Sequence, residues 1–411
     1  MKNNIYKYYI YMSLYAIANM FCTGTILQSF LLERGFTEDQ VYLYNALIQG
    51  VQVVTMFALL FFSDKIRRIK LVMGITLIAH TLLSGMLIIL ANLTDNNFML
   101  YAVYGVSIIV YIATGVYGVI NYCLPYRIID MKSYGTLVGL STTISGIVTF
   151  TISLLYSYVI SKAEYSQVMM FCFLFATLCF AVAGYACLSL KEINTDDNPV
   201  KKGGYKELFK NKNVYILMLP SFLRGLTMGV VSLLTVIGFS EKLLNPQLAT
   251  YVNIVLQVAS FLANILFVAL YKKLSSGRLL LISSLGISIF LPIIFLFRNS
   301  TWFIFIYFLV YFFLMTFNTA VPVIVPDIVP QDQIGGFTSI RMMLFTFGSM
   351  VASFIITPIM NDCGVTALFI FVSVIQFICG SVHYGVWKNS VLKKKKQKQM
   401  NEIETVITQS L

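Results

Sequence analysis

With 411 residues the chain is long enough for two or three soluble domains, but 58% of it is hydrophobic and only 11% charged, against about 25% charged in an ordinary soluble globule. That shortfall, a mean hydropathy of +0.81 and apolar runs longer than about 18 residues exclude a water-facing fold and make lipid the solvent for most of the chain. The net charge of +12 would point to nucleic acid only if it were gathered on a soluble surface, and its distribution follows a different rule.

Twelve apolar spans are expected, at 8–32, 40–62, 70–91, 98–123, 137–160, 167–190, 214–240, 248–271, 278–297, 301–322, 336–358 and 365–387. Each is near the roughly 20 residues a helix needs to cross about 30 Å of hydrocarbon. The first is too long for a cleaved signal peptide, and more spans follow it. With the N-terminus inside, 23 of the 29 Lys and Arg fall in inner segments. Four (Arg34, Lys162, Lys242 and Arg298) are outer, and Arg224 and Arg341 lie within spans. This bias places both chain ends on the cytoplasmic side of the cell membrane and reads the positive charge as a topology signal. Six of the seven cysteines lie in spans and only Cys363 in an outer loop, so there is no disulfide framework or metal-ligand spacing. Asn92 and Asn299 head glycosylation sequons, but both sit almost on the membrane.

A solute crossing hydrocarbon needs polar partners on inward faces, because an unpaired polar group in lipid costs several kcal/mol. In chain order, the first span offers Asn19, Thr23 and Gln28, and the second Asn45, Gln49 and Gln52. The third holds His80 near its middle, where it could titrate near neutral pH or pack as a neutral ring. In the fourth, Tyr104, Tyr111 and Thr114 share a face, followed by Tyr117 and Asn121. That span ends in NYCLPYRIID, where Pro125 stops the helix and Asp130 enters a loop. Gly139 and Gly146 of the fifth span are expected to permit close helix packing.

The segment 191–213, with Pro, a Gly pair and mixed charge, is the one long linker. It separates an N-terminal bundle of six spans (1–190) from a C-terminal one (214–388), and a polybasic tail (389–411) follows. In the seventh span Arg224 lies about 15 Å deep, with Pro220 and Gly225 beside it expected to loosen the helix. The eighth holds Asn253, Gln257 and Asn264, and the tenth Tyr307, Tyr311 and Asn318. Arg341 is only about 9 Å into its span, close enough to snorkel, and His383 reads as incidental. None of the 17 Asp and Glu falls near a span midplane. A core with Arg and no acid fits a facilitator, an anionic solute, or proton coupling through His80 or a rim carboxylate.

The halves repeat. Asn121, Pro125, Asp130 and Gly139 recur 197 residues on as Asn318, Pro322, Asp327 and Gly336, and Asn45, Gln49, Lys65 and Lys70 recur 208 residues on as Asn253, Gln257, Lys273 and Arg278. Two parallel repeats of six spans resemble the layout of the major facilitator superfamily. The loop FFSDKIRRIK resembles that family's Gly-x-Leu-x-Asp-Arg-x-Gly-Arg-Lys/Arg signature at Asp64, Lys65 and Arg68, and departs from it at Leu60, Arg67 and Ile69. PDIVPQDQIGG resembles the family's Glu-x-x-Pro-x-x-x-Arg-Gly at Asp327 and Pro330, with Ile334 where Arg is usual. The resemblance implies an all-α polytopic fold of two six-helix bundles rocking about a midplane site, with Asp64 in a gating loop. The fifth span lacks the Gly-Pro signature of the family's drug–proton antiporters.

The expected function is therefore transport of a small polar solute by alternating access. Neutral amides and tyrosines favour a sugar or glycoside, organic-anion transport centred on Arg224 is the alternative, and a non-transporting solute sensor is a third reading. No metalloprotease, serine-hydrolase or phosphate-cradling motif points to an enzyme. The expected solute site comprises Asn19, Gln28, Asn45, Gln49, Tyr104, Tyr111, Asn121, Arg224, Asn253, Gln257, Tyr311 and Asn318. Coupling or gating is expected from His80, Asp64, Arg68, Arg341 and Asp327, with H+ or Na+ as coupling ion, no cofactor or metal, and a monomer in the bilayer.

Overall fold

The computed structural model describes residues 2–60, 68–90, 96–121, 124, 128, 134–160, 162–192, 210, 212–297, 299–329 and 334–410. Among them every regular element is a helix: α1 (Lys2–Cys22), α2 (Gly24–Glu33), α3 (Glu38–Leu60), α4 (Ile69–Leu90), α5 (Asn96–Ile120), α6 (Tyr134–Ile160), α7 (Tyr165–Leu188), α8 (Lys212–Ser232), α9 (Leu234–Ser240), α10 (Pro246–Leu274), α11 (Ser276–Phe290), α12 (Ser300–Ile328), α13 (Ile334–Cys363) and α14 (Val365–Ser410). A helix bonds its own amides and carbonyls, which hydrocarbon, having no water to offer, requires. All twelve expected spans coincide with helices, the first with α1 and α2 together and the seventh with α8 and α9. The ninth is cut short, because α11 ends at Phe290 and residues 291–297 continue as turns and bends. The linker residues 193–209, with Pro125, Asp130 and Pro330, lie outside the described residues.

Local chemistry sets the helix starts. Thr37 and Gln40 form a reciprocal capping box, in which Thr37 N donates to Gln40 Oε1 (2.9 Å) and Gln40 N to Thr37 Oγ1 (3.3 Å), so two amides at the start of α3 are satisfied. Asn245 caps α10 through Leu248 N, ahead of Pro246 at the first turn, and Asn299 caps α12 through the amides of Thr301 and Trp302. Between α13 and α14 the chain reverses at Gly364 alone, with φ +83°, a conformation that penalises any Cβ.

Each half opens with a helix broken near the same place. The first breaks at Thr23, whose backbone is extended while its hydroxyl turns back to Asn19 O (2.7 Å). The second breaks at Leu233. Pro220 and Gly225 do not loosen α8 as expected: the helix runs unbroken through both, and the interruption falls two turns later.

The halves pack alike. In the N-terminal half α1 packs on α6 and α7, α3 on α5, and α4 on α5 and α7. In the C-terminal half α8 packs on α13 and α14, α10 on α12, and α11 on α12 and α14. The seam is reciprocal as well, with α3 against α13 and α6 against α10, while the short helix α2 touches α9 and α10. The duplication read from scattered identities is thus a duplication of contacts. We call the side holding the starts of α1 and α8 the termini face and the other the far face.

On the termini face, Asn4 exchanges two hydrogen bonds with the backbone of Lys191 (2.7 and 3.0 Å). The Lys7 and Lys70 ammonium groups donate to the carbonyls of Ser189 and Leu190 just beyond α7 (2.9 and 2.8 Å), where helix carbonyls are unpaired and the dipole favours cations. Glu192 returns the favour by accepting from Lys70 N at the start of α4 (2.7 Å).

Candidate functional site

Two polar clusters form at depth, one in each half. In the C-terminal half, α8 and α13 cross at backbone contact. A Cβ on Gly225 would meet the carbonyl of Phe345, and one on Gly348 would meet that of Phe222. Small residues at such a crossing let dispersion and backbone contact replace the hydrophobic effect that lipid cannot supply. The crossing holds Arg224 beside α12. Its guanidinium donates to Asn318 Oδ1 and lies over the rings of Phe345 (4.9 Å) and Phe317 (5.5 Å). Arg224 is buried, 7% exposed. A planar, delocalised cation tolerates such a site because faces and edges are used separately, the ring quadrupoles on one and hydrogen bonds on the other.

Arg341 is 5% exposed, so it does not snorkel as expected. It borders a crevice that also holds His383, Phe337 and Leu217. His383, read as incidental, is buried beside Cys379 O (2.9 Å) and edge-on to Phe317 (5.9 Å). The only sequence signal for it was a histidine inside an apolar run, weak because nothing along the chain shows which face it lies on.

In the N-terminal half the cluster is aromatic. His80 places Nδ1 2.6 Å from Thr76 O and Nε2 2.9 Å from the Thr114 hydroxyl. Tyr15 meets the imidazole edge-on (6.4 Å) and stacks on Tyr117 (4.6 Å). The Tyr11 hydroxyl reaches those of Tyr117 (2.8 Å) and Asn121 Oδ1 (3.1 Å). Tyr11 and Tyr15 were missed from sequence, although their four-residue spacing places them on one helix face.

The other expected site residues are spread more widely. Tyr104 donates to Gln40 O (2.9 Å) and stacks on Tyr44 (6.0 Å), and Tyr111 is hydrogen-bonded to Tyr44, so both bind α5 to α3. Asn253 donates to Ser153 (3.3 Å), and Gln257 accepts from Thr149 (3.3 Å); the repeated Asn-Gln pair thus clamps the seam between halves in its second copy. In the first copy Asn45 bonds its own helix at Val41 O (2.8 Å), and Gln49 Oε1 is buried without a partner among the described residues. Gln28 crosses between halves to Ser232 O (3.1 Å). Asn19 is half-buried at the break of the first span, and Tyr311 is half-buried edge-on to Tyr307. At the rims, Arg68 is exposed just before α4, Asp327 accepts from the Trp387 indole (3.0 Å), and Asp64 lies outside the described residues. Of the two glycines expected to pack closely in the fifth span, Gly146 has nothing near a Cβ position, whereas α8 and α13 touch backbone to backbone at Gly225 and Gly348.

Comparison with known proteins adds the following. The Major Facilitator Superfamily profile matches residues 9–353 and 244–409. Among solved structures, the chain is similar to a D-xylose–proton symporter, with a TM-score of 0.70 at 11% identity over 94% of this chain and 96% of that one. It is also similar to the E. coli fucose:proton symporter, with a TM-score of 0.63 at 14% identity over 94% of this chain and 98% of that one. No curated protein sequence matches it.

Proposed function

The chain belongs to the Major Facilitator Superfamily, and from that premise we propose that it carries a small sugar across the cell membrane by alternating access, with its termini face in the cytoplasm. The observation that carries this reading is the reciprocal seam. Two similar bundles meet through α3 on α13 and α6 on α10, contacts that a rocking motion can exchange without unfolding either bundle. The positive-inside bias of the loops supports the orientation. Neutral amides and tyrosines at depth support a hydroxyl-rich solute, as does the likeness to two sugar–proton symporters.

Proton coupling through His80 belongs to the same proposal. Thr76 O can only accept, so Nδ1 carries a proton in either state of the ring. With Nε2 bare, Thr114 donates to it. With Nε2 protonated, it donates to Thr114 Oγ1, whose own proton turns to Val110 O, 3.0 Å away. One rotating hydroxyl therefore satisfies both charge states, so the site can load and release a proton without breaking its packing.

The test is uptake into proteoliposomes across a panel of sugars and organic anions, with and without a protonophore. Concentrative sugar uptake that collapses with the proton gradient is expected. Uptake confined to anions would overturn the sugar assignment, and saturable binding without flux would make the protein a sensor.

A further inference from the structure

The far face is open between the halves. A cavity of about 560 Å³ opens there between the halves, lined by Phe36, Glu38, Asp39 and Tyr42 from the first half and by Phe239, Ser240, Thr357 and Asn361 from the second, among others. That volume lies within the ~300–1,000 Å³ range of small-molecule sites. The carboxylates have a structural role, since acids in the first turn of α3 complement its dipole. Helix capping does not explain Tyr42. It is 4% exposed, borders the cavity, and its hydroxyl is buried with no hydrogen-bond partner among the described residues. An orphaned hydroxyl is costly unless some state of the protein satisfies it.

We propose that this cavity is a capture subsite at the outer mouth for an uncharged or amino-bearing sugar, and that it excludes anionic ones. This rests on the sugar-transport reading above for its orientation and solute class. The wall supplies what a sugar ring requires: carboxylate and amide acceptors for neighbouring hydroxyls, a phenol to donate or accept, and two aromatic side chains, Phe36 and Phe239, for apolar contact with its C–H surfaces. The lining holds two carboxylates, Glu38 and Asp39, and among the described residues no basic one, so the mouth carries negative potential and repels carboxylated solutes. The Thr357 hydroxyl also bonds Asp39 across the halves (3.0 Å), so a sugar competing for that carboxylate would loosen a tie between the bundles as it arrives.

The test uses the full chain in open membrane fragments, with Ser240→Cys in a Cys363→Ser background and a maleimide at 0 °C, where transport is stopped. The probes are D-xylose, L-fucose, D-glucosamine and D-glucuronate. At least one of the first three should slow labelling about fivefold or more and glucuronate should not, while Glu38→Gln and Tyr42→Phe should each raise the half-protecting concentration about tenfold, the scale of one hydrogen bond to a buried or charged group. Tyr42→Phe removes only an unpartnered hydroxyl, so the fold is retained. Protection by none of the four, equal protection by glucuronate, or protection unchanged in both variants would overturn the subsite. Uptake of the same sugars is measured in parallel. Uptake without protection removes the subsite and leaves transport standing, whereas protection without uptake does the reverse.

Discussion

Arg224 donates to the side-chain oxygen of Asn318, joining the seventh span to the tenth. The pair forms where α8 and α13 touch backbone to backbone, so the guanidinium is held from three sides: by an amide and by two phenylalanine rings. Replacement by Lys keeps the charge and loses both the fork and the flat stacking surface. We expect Arg224→Lys and Arg224→Gln each to lower sugar uptake at least about tenfold, since a hydrogen bond from a charged donor contributes about 1.5–3 kcal/mol. Uptake rates in protein matched for surface expression would show it. Unchanged kinetics would remove Arg224 from the solute path.

The crossing itself is open to test. A methyl group at Gly225 or Gly348 meets a carbonyl of the opposite helix, which cannot swing aside as a side chain would. Gly225→Ala and Gly348→Ala should each destabilise by about 1–3 kcal/mol or more. Gly146→Ala, with nothing near its added methyl, should be neutral or stabilising by up to about 1 kcal/mol. Thermal unfolding in detergent compares the three, and equal shifts would refute the packing argument.

His80→Gln should uncouple transport rather than abolish it. Amide groups can occupy the contacts with Thr76 and Thr114 but cannot exchange a proton. The variant is expected to equilibrate sugar at a rate insensitive to protonophore, where concentrative uptake is expected of the natural protein. Retained concentrative uptake would place the coupling group elsewhere.

Asn4→Ala removes both bonds to Lys191 and leaves that backbone to water. A loss of about 1–3 kcal/mol should appear as a lower unfolding temperature and as faster proteolysis of the segment after α7. Identical digestion rates would show that Asn4 does not hold the linker.

Much of this architecture was legible along the chain. Span number, pairing into halves and the direction of the charge bias all follow from local composition, because a bilayer tests each stretch of about 20 residues on its own. The site was less legible. The face of Tyr104 and Tyr111 was identified from spacing, yet that face binds α3 within one half, and spacing cannot name the helix opposite. The Asn-Gln repeat was visible, while its division between an inter-half clamp at Asn253 and Gln257 and a local bond at Asn45 was not. Arg341, expected among the coupling or gating residues, was judged from its depth alone to be able to snorkel, but it is buried, because burial depends on the neighbours that α13 meets.

The amino-acid order alone determined that this is a duplicated twelve-span membrane protein, since hydrophobic length, loop charge and repeated polar residues are properties of the chain read in line. Tertiary structure alone decided which polar groups meet. Arg224 finds Asn318, His80 finds Thr114, and Tyr42 is left without a partner, because each outcome depends on helix rotation and crossing, set by packing between segments far apart in sequence.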